Sequence, residues 1–496
     1  MKNRFIFIVV LFVILTNLFG QQMSYADYRA QQNKRFEEYT RAKAAEYDAY
    51  RQKQNERYAA FMAKSWERFS AKPAVEVTPI KPVDPVVYPD PTPTPKPKPE
   101  VEPQVIPVQP EVIVLPKPQP QPKPLADVEP RKDVPYSELS VLFYGTSVAV
   151  GFPNEDHFRI KAITEKELAN AWKVLSASIY DITLSTVLKA REELALCDWG
   201  YVELLQAVAE KRYGKTNEAV LMQAFLLAQS GYKIRLAYEK SQLCILAACD
   251  HGMVGRPYYM LDGVMFYPLT TNLKELYICN ASFDSEKSLS LLLREEQKLK
   301  NNPTLPRTLT SKYGIVVNVS VNKNALDFYG NYPKSFINND PTTTWVVYAN
   351  TPLEMAIRES LYPVLRESIE GMSERDAVNK LLNFVQTAFE YGYDDELWGG
   401  ERTFFATETL YYPYSDCEDR SILFSRLVRD IMGLDVVLLY YPGHLATAVA
   451  FTQEVYGDYL QFKNQRYVVC DPTYIGAAVG RTMPGMNNQK AKIVVL

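Results

Sequence analysis

One cysteine in this chain stands in a setting suited to nucleophilic chemistry. Cys417 lies in the run Ser415-Asp416-Cys417-Glu418-Asp419-Arg420, and the apolar residues after it, Ile422, Leu423, Leu427, Val428 and Ile431, recur at helical spacing until Gly433. The pattern predicts a helix capped by Ser415 or Asp416, with Cys417 in its first turn. Free amides and the helix dipole favour a thiolate at that position, and Glu418 and Asp419 oppose it. A thiol nucleophile needs a base, and the sequence holds only 3 His. His444 follows an apolar run, Val436 to Tyr440, and a Pro442-Gly443 turn, and it opens the next run, Leu445 to Phe451. An imidazole acting as base also needs a group to orient it. Asp471 follows the run Tyr467 to Cys470 and precedes Pro472. Cys417, His444 and Asp471 are thus the candidate catalytic residues, placed at a helix start, a strand start and a strand end.

The elements around them read as α+β. Two helices are expected ahead of the cysteine, Leu353 to Glu370 with a kink at Pro363, and Ser373 to Glu390 with Ser373 and Asp376 as a capping box. Further upstream, the runs Tyr313 to Val319 and Thr344 to Tyr348 read as strands.

The segment from about 375 to 485, with Asp416-Cys417-Glu418-Asp419, then Gly443-His444, then Cys470-Asp471-Pro472-Thr473-Tyr474, resembles the catalytic core of the transglutaminase-like superfamily, cysteine enzymes of papain-like fold. The resemblance implies Cys417 as nucleophile, His444 as general base and acid, and Asp471 as the residue that holds the imidazole. Leu445 stands after the histidine where animal-type transglutaminases have Trp, so hydrolysis of peptide or amide bonds is implied more than cross-linking. Papain-like enzymes also use an upstream Gln as oxyanion donor, which points to Gln386, although a Gln on a helix more often serves structure. Tyr411, Tyr412 and Tyr414 could line the site without an assignable role. The run Asp394-Asp395-Glu396 has the composition of a calcium site but reads as a solvated loop. No cofactor and no metal ligand are expected.

A faint repeat precedes this segment. At an offset of 202 residues identities fall at Leu221/Leu423, Gly231/Gly433, Leu236/Leu438, Tyr238/Tyr440, Leu243/Leu445 and Ala248/Ala450. Residues 136–285 therefore read as a degenerate copy of the domain at 351–496, joined to it by a strand-rich connection, 286–350. In the copy Lys215 stands at the cysteine position and Gln242 at the histidine position, and the aspartate position falls near Pro268. No acyl chemistry is expected of it.

The first 135 residues are not globular in pattern. Lys2 and Arg4 precede an apolar run, Phe5 to Phe19, too short for a membrane helix and suited to an export signal, residues 1–20. Export to the periplasm or cell surface follows. From Tyr25 aromatic pairs recur every 11 residues, Tyr25 and Tyr28, Phe36 and Tyr39, Tyr47 and Tyr50, Tyr58 and Phe61. That period places one aromatic stripe along a long helix, residues 21–72, which suits self-association through 25–70. Residues 73–135 hold 20 of the 33 prolines and read as a stiff spacer. With 55 Lys+Arg against 58 Asp+Glu, bulk charge argues against nucleic acid as a partner and leaves a peptide or protein substrate, including cell-wall peptide. The 6 Cys are too few for a disulfide scaffold, though Cys244 and Cys249 could pair with each other or with Cys197 and Cys279. The rival reading is a non-catalytic envelope module that binds through this fold.

Overall fold

The computed structural model describes residues 25–76 and 134–496, except 157, 270–273, 338–339 and 488–489, and residues 85–87, 105–106, 122–125 and 128 between them. Residues 1–20, where an export signal is expected, lie outside the described residues, among which no helix is long and apolar enough to cross a membrane. The chain is 40% helix and 25% strand, with its strands gathered into sheets rather than alternating with helices, which makes it α+β.

Two six-stranded sheets organise it. The C-terminal sheet runs Val105–Ile106, Tyr459–Phe462, Gln465–Cys470, His444–Ala450, Val436–Tyr441, Lys492–Val495. Its central strands alternate between two apolar layers. Val436, Leu438, Leu445 and Val449 join the main core, whereas Val437, Leu439, Ala446, Ala448 and Ile493 form a second cluster on the other face. Burial on both faces explains why these strands read as unbroken apolar runs. The helix Cys417–Met432 lies on the first face and is buried along most of its length. Gly433, at φ +67, closes it in the left-handed conformation that a side chain would disfavour. Gly443, at φ +86, does the same in the two-residue Pro-Gly turn that delivers His444 to its strand.

The N-terminal sheet runs Glu67–Ser70, Glu275–Cys279, Ile234–Glu239, Gln242–Ala248, Val264–Pro268, Tyr259–Leu261. Numbered from the strand after the helix, both sheets share the order last, first, second, fourth, third. The hairpin pairing is also the same at the 202-residue offset, Glu239 facing Gln242 as Tyr441 faces His444. Gln242 therefore occupies the histidine position. In the next strand the pairing differs by one residue, since Ala248 faces Phe266 while Ala450 faces Tyr467. The counterpart of Asp471 then falls on residue 270, two residues past Pro268 and outside the described residues.

The connection 286–350 departs from expectation. Val316–Val319 is a strand, but Thr344–Asn350 is a helix, packed on the cysteine helix. Every residue from Thr344 to Ala349 is buried, so this helix shows no polar face, and its β-branched residues imitate a strand. The two upstream helices are Met355–Ile369, with Pro363 inside, and Glu374–Thr387, capped by Ser373. One continuous core runs from Tyr58 to Val494, so the two sheets are not separated by a gap.

The N-terminal segments are corrected too. The long helix is Tyr25–Met62, and after it Glu67–Ser70 forms an edge strand. Trp66 decides the turn, bonding the Met62 carbonyl at 2.8 Å and packing on Tyr238. The last turns of the helix are docked on this chain's own N-terminal domain. Arg51 pairs with Asp181 at 2.7 Å, Asn55 exchanges amide hydrogen bonds with Gln229, and Tyr58 stacks between Trp172 and Phe283. Tyr28, Tyr39, Tyr47 and Tyr50 stay exposed. The described parts of the Pro-rich segment are likewise attached rather than spanning free. Val105–Ile106 pairs in parallel with Tyr459–Leu460, Val86 accepts from Ile475, and Leu125 donates to Gln229. An extended chain without internal hydrogen bonds suits an open sheet edge, which has the same groups unpaired.

Candidate functional site

Cys417 is the first residue of its helix, and the helix is anchored by groups that the sequence places beside it. Asp419 accepts from the Phe404 amide at 2.8 Å and from the Asp416 amide at 3.4 Å. Arg420, wholly buried, donates to the carbonyls of Gln386 and Phe389 and to Ser415. Ser421 donates to the Leu445 carbonyl at 2.9 Å, which fixes the helix start against the start of the histidine strand. The Leu445 amide in turn faces the Cys417 sulfur.

His444 and Asp471 meet at the same end of the sheet. Nε2 of His444 lies 2.9 Å from Oδ2 of Asp471, with both residues buried. Oδ1 of Asp471 accepts from the amides of Thr473 and Tyr474, so the turn after Pro472 holds the carboxylate in place. Nδ1 of His444 is buried and has no hydrogen-bond partner among the described residues. That nitrogen is the one left free to take a proton.

The thiol is held protonated. Burial is the largest cause that pushes it well above its usual range, followed by the charges of Glu418 and Asp416, with the Leu445 amide working the other way. Its hydrogen goes to Oε2 of Glu418, 3.3 Å away, and not to His444. The expected pull of the helix dipole toward thiolate is therefore outweighed, because desolvation of a fully buried anion exceeds the stabilisation a helix start gives. Cys417 and His444 are both 0% exposed, so the sulfur and the ring are closed to solvent in this structure.

Gln386 is placed by its hydrogen bonds as a structural residue. Its Nε2 donates to the carbonyls of Asp471, Tyr474 and Ala477, and its Oε1 accepts from Gly476. With its amide used up by the loop that carries Asp471, it has no donor for an oxyanion. Tyr412 packs on Trp398 and Phe404 and lies within reach of the Arg402 guanidinium. Tyr414 is exposed.

A carboxylate group beside the cysteine was not apparent from the sequence. Asp394 is buried, which corrects the solvated-loop reading there, although Asp395 and Glu396 are exposed. One side-chain oxygen from each of Asp394, Glu401 and Glu418 lies within 4.8 Å of the others. Burial pushes the Asp394 carboxyl up to about 6, and burial together with Asp416 pushes Glu418 well above the carboxylate range. Glu401 carries no sequence signal, because only the folding of its loop brings it to Glu418. Tyr391 lies under the Arg420 guanidinium at the same helix start, a placement that likewise only the folded chain creates.

Cys197, Cys249, Cys279, Cys417 and Cys470 are free thiols. Cys244 packs on one face of the N-terminal sheet and Cys249 and Cys279 on the other, which keeps Cys244 from pairing with either.

No protein-family model, no curated protein and no solved structure matches this chain.

Proposed function

We propose that this protein is an exported cysteine enzyme of transglutaminase-like type that hydrolyses or transfers at a peptide or amide bond. The observation that carries the reading is the 2.9 Å contact of His444 Nε2 with Asp471, which leaves Nδ1 unpartnered at the end of the sheet where the cysteine helix begins. In the proposed reaction His444 Nδ1 takes the Cys417 proton and the sulfur attacks the carbonyl carbon. The C–N bond breaks, the amine leaves with the proton from the imidazolium, and an acyl thioester remains. Water then gives a proton back to His444 and attacks the thioester, which releases the acid and restores the thiol. Asp471 holds the ring and supports its charged form. The Asp416-Cys417-Glu418-Asp419, Gly443-His444 and Asp471-Pro472 segments and the α+β architecture support a papain-like arrangement, with residues 136–285 as a copy that lacks the histidine.

The thiol's burial favours a second reading, a non-catalytic envelope module that keeps the fold for binding. Incubation with peptide libraries and mass analysis of Cys417 decides between them. An acyl adduct on Cys417 that is lost in His444→Ala supports the enzyme. Turnover retained by Cys417→Ala, or no adduct and no turnover across peptide and cell-wall substrates, overturns it.

A further inference from the structure

The N-terminal domain leaves open the place that the C-terminal domain closes. Helix Asp198–Tyr213 packs on helix Asn217–Gln229 as Glu374–Thr387 packs on the cysteine helix Cys417–Met432. Between its two helices the C-terminal domain carries residues 388–416, the segment folded over the start of the cysteine helix, whereas the N-terminal domain carries only Gly214, Lys215 and Thr216. A cavity of about 440 Å³ results at the start of Asn217–Gln229. Lys215 and Gln242, at the cysteine and histidine positions of the 202-residue offset, both line it. Its volume is that of a small-ligand pocket.

The lining has groups that bind and none that react. Asn217 ties the helix start to the hairpin, accepting from the Leu243 amide at 3.0 Å and donating to the Ser241 carbonyl at 2.9 Å, so the walls are held without a ligand. Gln223 is 2% exposed, and its Nε2 donates to the Val202 carbonyl at 3.1 Å while its Oε1 meets no donor among the described residues. Burying an amide oxygen unpaired is unfavourable, and an N–H entering the pocket relieves it. Of the two charged groups in the lining, Glu210 accepts from Gln206 at 2.8 Å and Lys215 has no partner among the described residues, so Lys215 is the charge left for a ligand. We propose that this pocket binds, without cleaving it, the carboxylate end of a short peptide. Lys215 takes the carboxylate, and Gln223 and Gln242 pair with the backbone amides, because a glutamine side chain offers the donor and acceptor that a peptide group lacks once it leaves water. Ala219, Val220 and Leu243 form the apolar wall, which suits small uncharged side chains. The choice of a peptide rests on the proposed reading of the C-terminal domain, whereas the pocket and its free groups do not.

The test uses the full chain carrying Cys417→Ala, which cannot turn a peptide over, with trialanine as the probe and saturation-transfer NMR as the readout. Trialanine should bind, with Kd raised at least about tenfold by Lys215→Ala and also by Gln242→Trp, which fills the pocket. Trialanine amide, which lacks the carboxylate, should bind at least about tenfold more weakly and be indifferent to Lys215→Ala, because one contact cannot be lost twice. Lys215 and Gln242 are exposed, so both variants should keep the parent's Tm. Absence of trialanine binding, or an unchanged Kd in Lys215→Ala and Gln242→Trp, overturns the site. Failure of Cys417 to form an acyl adduct in the unsubstituted chain, with trialanine still bound at this pocket, overturns the enzyme reading alone.

Discussion

His444 and Asp471 come from neighbouring antiparallel strands, 27 residues apart in sequence, and their side chains meet at 2.9 Å. The contact fixes which imidazole nitrogen is free. If the proposed chemistry holds, His444→Ala and Cys417→Ala each abolish turnover of a peptide or amide substrate. Asp471→Asn keeps the ring in place but supports its charged form less, so a residue of activity remains, reduced about 10²–10⁴-fold. Steady-state rates on the substrate found by adduct screening check this, and an Asp471→Asn enzyme with wild-type rate contradicts it.

The Cys417–Glu418 contact makes a second prediction. Glu418→Gln removes the nearest charge opposing the thiolate, so the pH midpoint for iodoacetamide alkylation of Cys417 should move down. Burial, the larger cause, remains, and the limiting rate stays below that of an exposed thiol. A midpoint that does not move would show that the carboxylate has no hold on the sulfur.

Gln386 holds the Asp471 loop through four main-chain groups. Gln386→Ala leaves buried carbonyls unpaired and should cost about 2–4 kcal/mol in urea unfolding. Gln386→Glu reverses the donor at the carbonyls and should cost at least as much. Wild-type stability in both variants would refute the role.

The N-terminal helix should count as part of the N-terminal domain. Tyr58→Ala removes a ring stacked between Trp172 and Phe283 and should destabilise by about 3–5 kcal/mol. Deleting residues 25–72 should lower Tm further, because it also removes the edge strand Glu67–Ser70 and the Arg51–Asp181 pair. Sedimentation equilibrium of the full chain beside one lacking residues 25–45 tests self-association through the exposed tyrosines. Monomers in both cases would end that reading.

Acid and base weaken the fold through different groups. Burial pushes Glu203 up to about 7 from 4.5, so the folded state keeps its proton longer and stability falls as pH rises through that window. Burial pushes His251 down to about 4 from 6.5, so the unfolded chain takes up a proton first and stability is lost as pH falls from 6.5 toward 4. Thermal melts from about pH 4 to about pH 8 should show Glu203→Gln removing the loss of stability on going from pH 4.5 to about 7 and leaving the loss below 6.5 that His251 causes.

Much of the candidate site was legible because it is local in the chain. The helix start at Cys417, the Pro-Gly turn before His444 and the strand end before Asp471 each follow from a few adjacent residues, and the 202-residue offset reproduces the hairpin pairing of the two sheets. What stayed hidden depends on distant partners. Thr344–Asn350 is helical because core packing surrounds it, and residues 67–70 and 105–106 are strands because open sheet edges take their backbone groups. The protonated state of Cys417 was decided the same way. Sequence supplies the dipole at its helix start, but the desolvation that outweighs it, and the gathering of Asp394, Glu401 and Glu418, exist only once the loop has folded over the helix.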